Sequence, residues 1–166
     1  YTDDADFLRM FQDEAVVAAK LNHPNIVQVF DFKSQDGIFY IAMELVEGID
    51  LRRLVSCGDK AGKPIGQNRA VQVAIAMARG LGHAHERVVD GMPLKIVHRD
   101  VSPHNVLVSI GGDVKVMDFG IAKAAARAAK TGTGVLKGKL AYMSPEQAAG
   151  LEVDHRTDIY ATGIVL

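Results

Sequence analysis

Two short acidic motifs lie on either side of a predicted β-hairpin, and their spacing constrains the fold of this chain more than any other feature. Five residues after His98-Arg99-Asp100 comes Asn105, and thirteen residues after Asn105 comes Asp118-Phe119-Gly120. The stretch between the motifs is rich in β-branched residues and is interrupted by Gly111-Gly112, which predicts a two-residue turn. Such a hairpin lets the two motifs converge at its open end.

Helix and strand patterns occupy much of the remaining chain. Over Asp4–Leu21 the apolar residues and Glu14 fall on one helical face. Ile26–Phe32 and Ile38–Leu45 are β-branched or aromatic runs that predict an antiparallel strand pair. A long helix is predicted over roughly Gln67–Arg87. The buried side of that helix is predicted to carry five residues: Val71, Ala74, Ile75, Ala78 and Leu81.

Charge, cysteine content and hydropathy argue against several classes of partner and location. The formal net charge is -1 without a long basic block, which favours neither nucleic acid nor an anionic membrane as partner. The single Cys57 cannot form an internal disulfide and is interpreted as a structural or spectator thiol, which fits a reducing compartment. No run of 18 apolar residues occurs, so we expect no membrane span in this chain and a cytoplasmic location, although a longer protein could carry an anchor elsewhere.

The two motifs at this spacing, with Ser144-Pro145-Glu146 further on, resemble the catalytic core of protein kinases. The resemblance implies ATP and Mg²⁺ as cofactors. Asp100 would be the base that accepts the proton of the substrate hydroxyl. Asn105 and Asp118 would each bind a magnesium ion, and Phe119 would pack apolar surface behind the site.

The resemblance extends towards the N-terminus of the chain. Glu14, followed by His23-Pro24-Asn25-Ile26-Val27, matches the helix glutamate that pairs with a phosphate-binding lysine in kinases. Met43 resembles the gatekeeper residue of the family. Backbone groups near Glu44 and Val46 resemble the hinge and would hydrogen-bond adenine.

Two residues depart from the kinase pattern. Ser102 stands where most Ser/Thr kinases have a lysine, and Lys139 stands where they have a threonine. We interpret the pair as an exchange of functional groups, in which Lys139 reaches the transferring phosphate from the opposite loop. Ser102 and Lys139 are therefore candidate catalytic residues beside Asp100 and Asn105. The alternative is a solvated Lys139 and a passive Ser102.

The segment Gly120–Lys139 lacks periodicity and predicts a surface loop. Within it, Thr131 and Thr133 fall where similar bacterial kinases carry phosphorylated threonines. A phosphate there would supply the counter-charge to Arg99. Autophosphorylation in a kinase dimer would be the source of this phosphate. Two solvated hydroxyls are the alternative. The extended connection Val88 to Lys95 also resembles bacterial, eukaryotic-type (Hanks-type) serine/threonine kinases.

The expected fold class is α+β, with the two-lobe protein-kinase arrangement truncated at both ends. Residues 1–45 would be a partial N-lobe and residues 46–166 a partial C-lobe. The chain begins at Tyr1 and ends on the apolar run Gly163–Leu166, so we expect a fragment that is marginally stable and weakly active alone.

The expected function is ATP- and Mg-dependent phosphoryl transfer to Ser or Thr hydroxyls of a protein substrate. One alternative is a catalytically inactive, kinase-like binding module, suggested by Ser102 and by the absence of a strand lysine before Glu14. Another is a small-molecule phosphotransferase, which should lack the long segment that ends in Ser144-Pro145-Glu146.

Overall fold

A computed structural model describes residues 18–35, 38–119 and 140–166 of the chain. The strands are β1 Val29–Gln35, β2 Ile38–Met43, β3 Gly48–Asp50, β4 Val88–Val89, β5 Met92–Pro93, β6 Val106–Ser109 and β7 Val114–Val116. The helices are α1 Leu51–Lys60, α2 Gln67–His85, α3 Pro145–Ala148 and α4 Arg156–Val165, with 3₁₀ turns at Pro103–Asn105 and Leu140–Tyr142. Several predicted features lie outside the described residues: most of the helix Asp4–Leu21 with Glu14, and the loop Gly120–Lys139 with Thr131, Thr133 and Lys139.

The predicted antiparallel pair is confirmed as β1 and β2. The first strand begins at Val29, three residues later than expected. The reason is that Ile26 and Val27 contact another sheet. Ile26 forms a parallel bridge with Val116, and the Val27 N–H donates to the Val116 carbonyl at 2.9 Å. This segment therefore ties the β1–β2 unit to strand β7.

The hairpin between the acidic motifs is confirmed as β6 and β7, but the predicted two-residue turn is wrong. The loop has three residues, 110–112, because the Ser109 N–H donates to the Asp113 carbonyl and the Gly112 N–H donates to the Ser109 carbonyl. Gly112 has a φ of 93°, as such loops require. The Ile110 N–H instead donates to the Glu47 carbonyl at 2.8 Å. This bond extends the pairing of β3 with β6 in a three-stranded sheet.

The long helix is confirmed as α2, but the predicted buried face is largely wrong. Val71 and Ile75 are 42% and 46% exposed, and of the five predicted residues only Leu81 is buried. The buried stripe consists of Met77, Gly80, Leu81 and Ala84. Apolar residues occupy more than one face of this helix, so periodicity alone could not select the face that packs on β7.

Helix α1 and the hairpin in the connection Val88 to Lys95 were not predicted. Helix α1 begins after Asp50, whose carboxylate accepts a hydrogen bond from the Arg53 N–H at 2.9 Å. The connection Val88 to Lys95 contains the hairpin β4–β5, whose turn residues Asp90 and Gly91 have φ of 51° and 77°. An Asp-Gly pair is a strong signal for this turn type.

The main apolar core joins the two sides of the β6–β7 hairpin to helices α1, α2 and α4. Its most deeply buried members are Leu21, Met77, Ala84, Val106 and Val116. The hairpin therefore lies on a packed base, which fixes the two motifs at its ends. Across the part of the chain that the structure describes, no helix combines the length and apolarity that a bilayer crossing needs.

Candidate active site

The carboxylate of Asp158 fixes the backbone of the first acidic motif. Asp158 is completely buried at the start of α4, and its two oxygens accept the N–H groups of His98 and Arg99, both at 2.8 Å. Arg99 has a φ of 66°, which costs a residue with a Cβ about 1–2 kcal/mol. Hydrogen bonds to a charged acceptor contribute about 1.5–3 kcal/mol each, enough to offset that strain. His85 also contacts Asp158, with its Nε2 at 2.8 Å from Oδ2.

His98 connects the two acidic motifs. The ring is buried, its Nδ1 accepts the Asp100 N–H at 3.2 Å, and its Nε2 lies 2.9 Å from the Met117 carbonyl. A carbonyl can only accept, so Nε2 carries the proton and the imidazole is the neutral Nε2–H tautomer. The ring also packs against Phe119 at a centroid distance of 4.7 Å. One side chain thereby sets the position of Asp100 relative to the residues around Asp118.

Asn105 is oriented by Asp100. Its amide nitrogen donates to the Asp100 carbonyl at 2.8 Å and to the Asp100 Oδ2 at 3.1 Å. Both partners are acceptors, which fixes the amide orientation and directs Oδ1 away from Asp100. The Asn105 backbone carbonyl accepts the Met117 N–H at 2.9 Å. Asp100 and Asn105 therefore lie together, joined to the strand that leads into Asp118.

Asp118 follows β7 with a φ of 63° and is half-buried. It shares a mostly apolar cavity with Phe119 and Met43. The other residues that line this cavity are Ala18, Leu21, Ile26, Val27, Val29 and Ile41. The structure thus brings the predicted gatekeeper and the second acidic motif to one cavity.

Glu44 connects the segment after β2 to β7. Its backbone N–H donates to the Gln28 carbonyl at 2.8 Å, and its carboxylate lies 2.8 Å from the Lys115 ammonium. The hydrogen bond from Lys115 lowers the pKa of Glu44 below its usual value. Val46, two residues on, is half-buried. Lys115 was not identified from the sequence, since a lysine on a strand reads as an ordinary solvated charge.

Ser102 is buried, with 7% of its surface exposed. Its carbonyl accepts the Asn105 N–H at 3.0 Å and so starts the turn that presents Asn105. Lys139 lies outside the described residues, so the proposed exchange between Ser102 and Lys139 stays a prediction. Glu14 is outside them as well.

Gln147 is a further residue that contacts the site. Its amide nitrogen donates to the Arg99 carbonyl at 2.8 Å. It is the third residue of α3, where it forms a capping box with Ser144. The capping box could have been predicted from the sequence, because Ser-x-x-Gln is a helix-start pattern. No sequence pattern indicates the contact with Arg99.

Comparison with known proteins gives a consistent result. The family model of the protein kinase domain matches residues 2–166. The tyrosine-protein kinase MasK of Myxococcus xanthus is 48% identical over 99% of this chain and 26% of its own length. The serine/threonine-protein kinase PrkC of Bacillus subtilis is 40% identical over 100% of this chain and 24% of its own length. The chain therefore spans about a quarter of these relatives.

Solved structures show the same likeness. The crystal structure of the Mycobacterium tuberculosis PknI kinase domain superposes with a TM-score of 0.72 at 33% sequence identity. The match covers 97% of this chain and 56% of that chain.

Proposed function

Because the chain belongs to the protein kinase family, we propose that it forms part of an enzyme that transfers the γ-phosphoryl group of ATP to Ser or Thr hydroxyls of a protein. The main support is the convergence of Asp100, Asn105 and the strand into Asp118. His98 links Asp100 to Met117, and the Asn105 amide holds the Asp100 carboxylate at 3.1 Å.

Asp100 is the group that would accept the proton of the attacking hydroxyl. Its N–H, carbonyl and carboxylate all engage neighbouring groups, namely His98 and Asn105. A base held in this way can be aligned with a hydroxyl without further ordering, and the transfer of one proton to such a base contributes about 10²–10⁴-fold to a rate.

Asn105 Oδ1 and the Asp118 carboxylate would hold magnesium. Amide and carboxylate oxygens suit this ion, which would bridge the phosphates and neutralise charge there. Among the described residues no three His, Cys, Asp or Glu side chains are grouped to hold a metal alone. A magnesium ion at this place would thus share its ligands with phosphates, as Mg²⁺ sites commonly do.

The adenine of ATP would lie against the segment from Met43 to Val46. The Glu44 N–H is used by Gln28, so the Glu44 carbonyl and the backbone of Val46 are the groups proposed to meet the base. Glu14 would contribute through a lysine that precedes it, in the manner the family resemblance implies.

The experiment uses the full-length protein with peptide mixtures in which Ser, Thr or Tyr is the only acceptor. We expect phosphate on Ser or Thr and a loss of at least a hundredfold in turnover for Asp100→Asn. ATP affinity should change little, since adenine is proposed to lie against the segment from Met43 to Val46. Tyrosine as the only product would overturn the Ser/Thr assignment alone; MasK, named a tyrosine kinase, makes that outcome a real alternative.

A kinase-like binding module is the second candidate, and Ser102 in place of a lysine is the feature that favours it. The same assay separates the two functions. Nucleotide binding with equal, near-zero turnover in the wild type and in Asp100→Asn would support the binding module and rule out the enzyme.

A further inference from the structure

We propose that Gln147 is a positioning residue, which orients the Asp100 base by holding the peptide group that joins Arg99 to Asp100. This inference rests on the proposed function of Asp100. The Gln147 amide nitrogen donates to the Arg99 carbonyl at 2.8 Å across 48 residues of sequence. The contact places the start of α3 directly against the backbone of the motif His98-Arg99-Asp100.

The peptide between Arg99 and Asp100 is held at both ends. Its carbonyl accepts from Gln147, and its N–H donates to His98 Nδ1 at 3.2 Å. A trans peptide is planar, with C=O and N–H on opposite edges, so these two bonds together fix the rotation of the plane. The plane carries the Asp100 Cα, and its rotation therefore sets the direction of the Asp100 side chain.

The strained backbone of Arg99 explains why the following peptide group needs this restraint. Arg99 has a φ of 66°, so its relaxed backbone would turn the following peptide differently. Asp158 holds the N–H on one side of Arg99 at 2.8 Å. Gln147 holds the carbonyl on the other side, where Asp158 makes no described contact.

The orientation of the Gln147 amide is dictated by its other neighbours. Oε1 accepts the Ser144 N–H at 3.2 Å and the Thr157 hydroxyl at 3.0 Å. The Thr157 hydroxyl is thereby committed as a donor, and the Ser144 hydroxyl, in close contact with it, donates in turn. Ser144 and Thr157 are both buried. With two donors on Oε1, the nitrogen of Gln147 points at Arg99.

Only a carboxamide satisfies all of these contacts. A glutamate serves a capping box as well as a glutamine does and could accept from Ser144 and Thr157. It has no N–H for the Arg99 carbonyl, however, and would place a carboxylate oxygen against that carbonyl. Gln147→Glu therefore separates the helix cap from the contact with Arg99.

The test compares Gln147→Glu and Gln147→Met in the full-length protein. If Gln147 positions Asp100, both variants lower kcat about tenfold, the loss of roughly one hydrogen bond of 1.4 kcal/mol, with KM for ATP within about twofold. If Gln147 only caps α3, the Glu variant keeps the wild-type kcat and the Met variant alone is impaired, which would overturn the proposal.

Hydrogen exchange provides a readout that does not depend on activity. The Asp100 amide should exchange at least several-fold faster in Gln147→Glu, because the partner of its peptide plane is lost. Asp50→Ala, which removes the cap of α1, is the control: it should cost a similar stability and leave Asp100 exchange unchanged. If the wild type is inactive but Asp100 exchanges faster in Gln147→Glu, the proposed kinase activity is refuted and the positioning role of Gln147 is supported. Unchanged exchange would refute the positioning role itself.

Discussion

At the scale of single residues, the site depends on two backbone conformations that are rare outside glycine. Arg99 and Asp118 have φ of 66° and 63°. Spacing and family resemblance identified both residues from the sequence, and the structure brings their motifs together. The backbone conformation of Arg99 could not be predicted from its local sequence, because it is held by Asp158, which lies 59 positions away in the chain. The contact of Gln147 escaped prediction for the same reason.

The proposed exchange of Ser102 and Lys139 gives a residue-scale prediction. Lys139→Ala in the full-length protein should lower turnover about a hundredfold, because one preorganised charge contact with the transferring phosphate is lost, with little change in ATP affinity. Steady-state kinetics with varied ATP measures both quantities.

The reciprocal variant is the control for that prediction. Ser102→Lys combined with Lys139→Thr restores the usual kinase arrangement and should recover much of the lost turnover. Because Ser102 is buried, this pair should first be checked for unchanged thermal unfolding. Turnover within about twofold of wild type in Lys139→Ala would end the exchange hypothesis.

At the scale of elements, the sequence predicted those segments whose pattern is local. The strand pair, the β6–β7 hairpin and the extent of α2 were predicted correctly. Each depends on periodicity or turn residues that lie within its own segment. The buried face of α2 was missed, since Met77 and Gly80 are selected by the neighbour they pack against. The three-residue loop was missed because the carbonyl of Glu47, the residue just before β3, accepts the Ile110 N–H.

Two glycines of α2 should respond in opposite ways to alanine. A Cβ on Gly80 would lie 2.7 Å from the Asn25 carbonyl oxygen, whereas a Cβ on Gly82 would meet nothing within 4 Å. Gly80→Ala should therefore destabilise the protein by about 1–3 kcal/mol through overpacking. Gly82→Ala should stabilise it by up to about 1 kcal/mol through helix propensity. Chemical denaturation measures both, and equal effects would contradict the packing described for Asn25.

The ion pair between Glu44 and Lys115 predicts a pH dependence. The folded pKa of Glu44 is lowered by Lys115 from a reference of 4.5, so its stabilising contribution is complete above that value and is lost as pH falls through the lower folded pKa. The difference in unfolding free energy between wild type and Lys115→Met should thus be constant near neutral pH and shrink below about pH 4.5.

The exposed pair of Lys33 with Asp31 is the matched control. Its side chains are 59% and 45% exposed, so solvent screening should make the effect of Lys33→Met small at every pH. A difference for Lys115→Met that stays the same down to pH 3 would show that the pair contributes no charge interaction to folding.

At the scale of the whole molecule, the protein-kinase fold expected from the motifs is confirmed by the family match and by the PknI kinase domain. The division into lobes at residues 45 and 46 stays a prediction, as does the cytoplasmic location. Contacts across that boundary are evident, however: Glu44 bonds to Lys115, and Val27 bonds to Val116. A lobe boundary depends on such contacts between residues far apart in sequence, so local sequence patterns cannot locate it.

Phosphorylation of the segment 120–139 is the prediction at this scale. Arg99 has a buried Nε without a hydrogen-bond partner among the described residues, and a phosphate would supply one. Active full-length protein should carry phosphate on Thr131, Thr133 or both, detected by mass spectrometry. The double variant Thr131→Ala, Thr133→Ala should lose activity. An unmodified, active enzyme whose double variant is equally active would contradict this role of Arg99.

The dependence of Arg99 on Asp158 also affects the order in which the site can form during translation. The two residues are 59 positions apart, and a ribosome that adds about 5–20 residues per second needs roughly 3–12 s to travel between them. From the synthesis of Asp118 onwards, the nascent chain contains both acidic motifs but still lacks the Asp158 carboxylate that offsets the backbone strain at Arg99. We therefore expect the proposed phosphoryl transfer to begin only after translation has passed the start of α4.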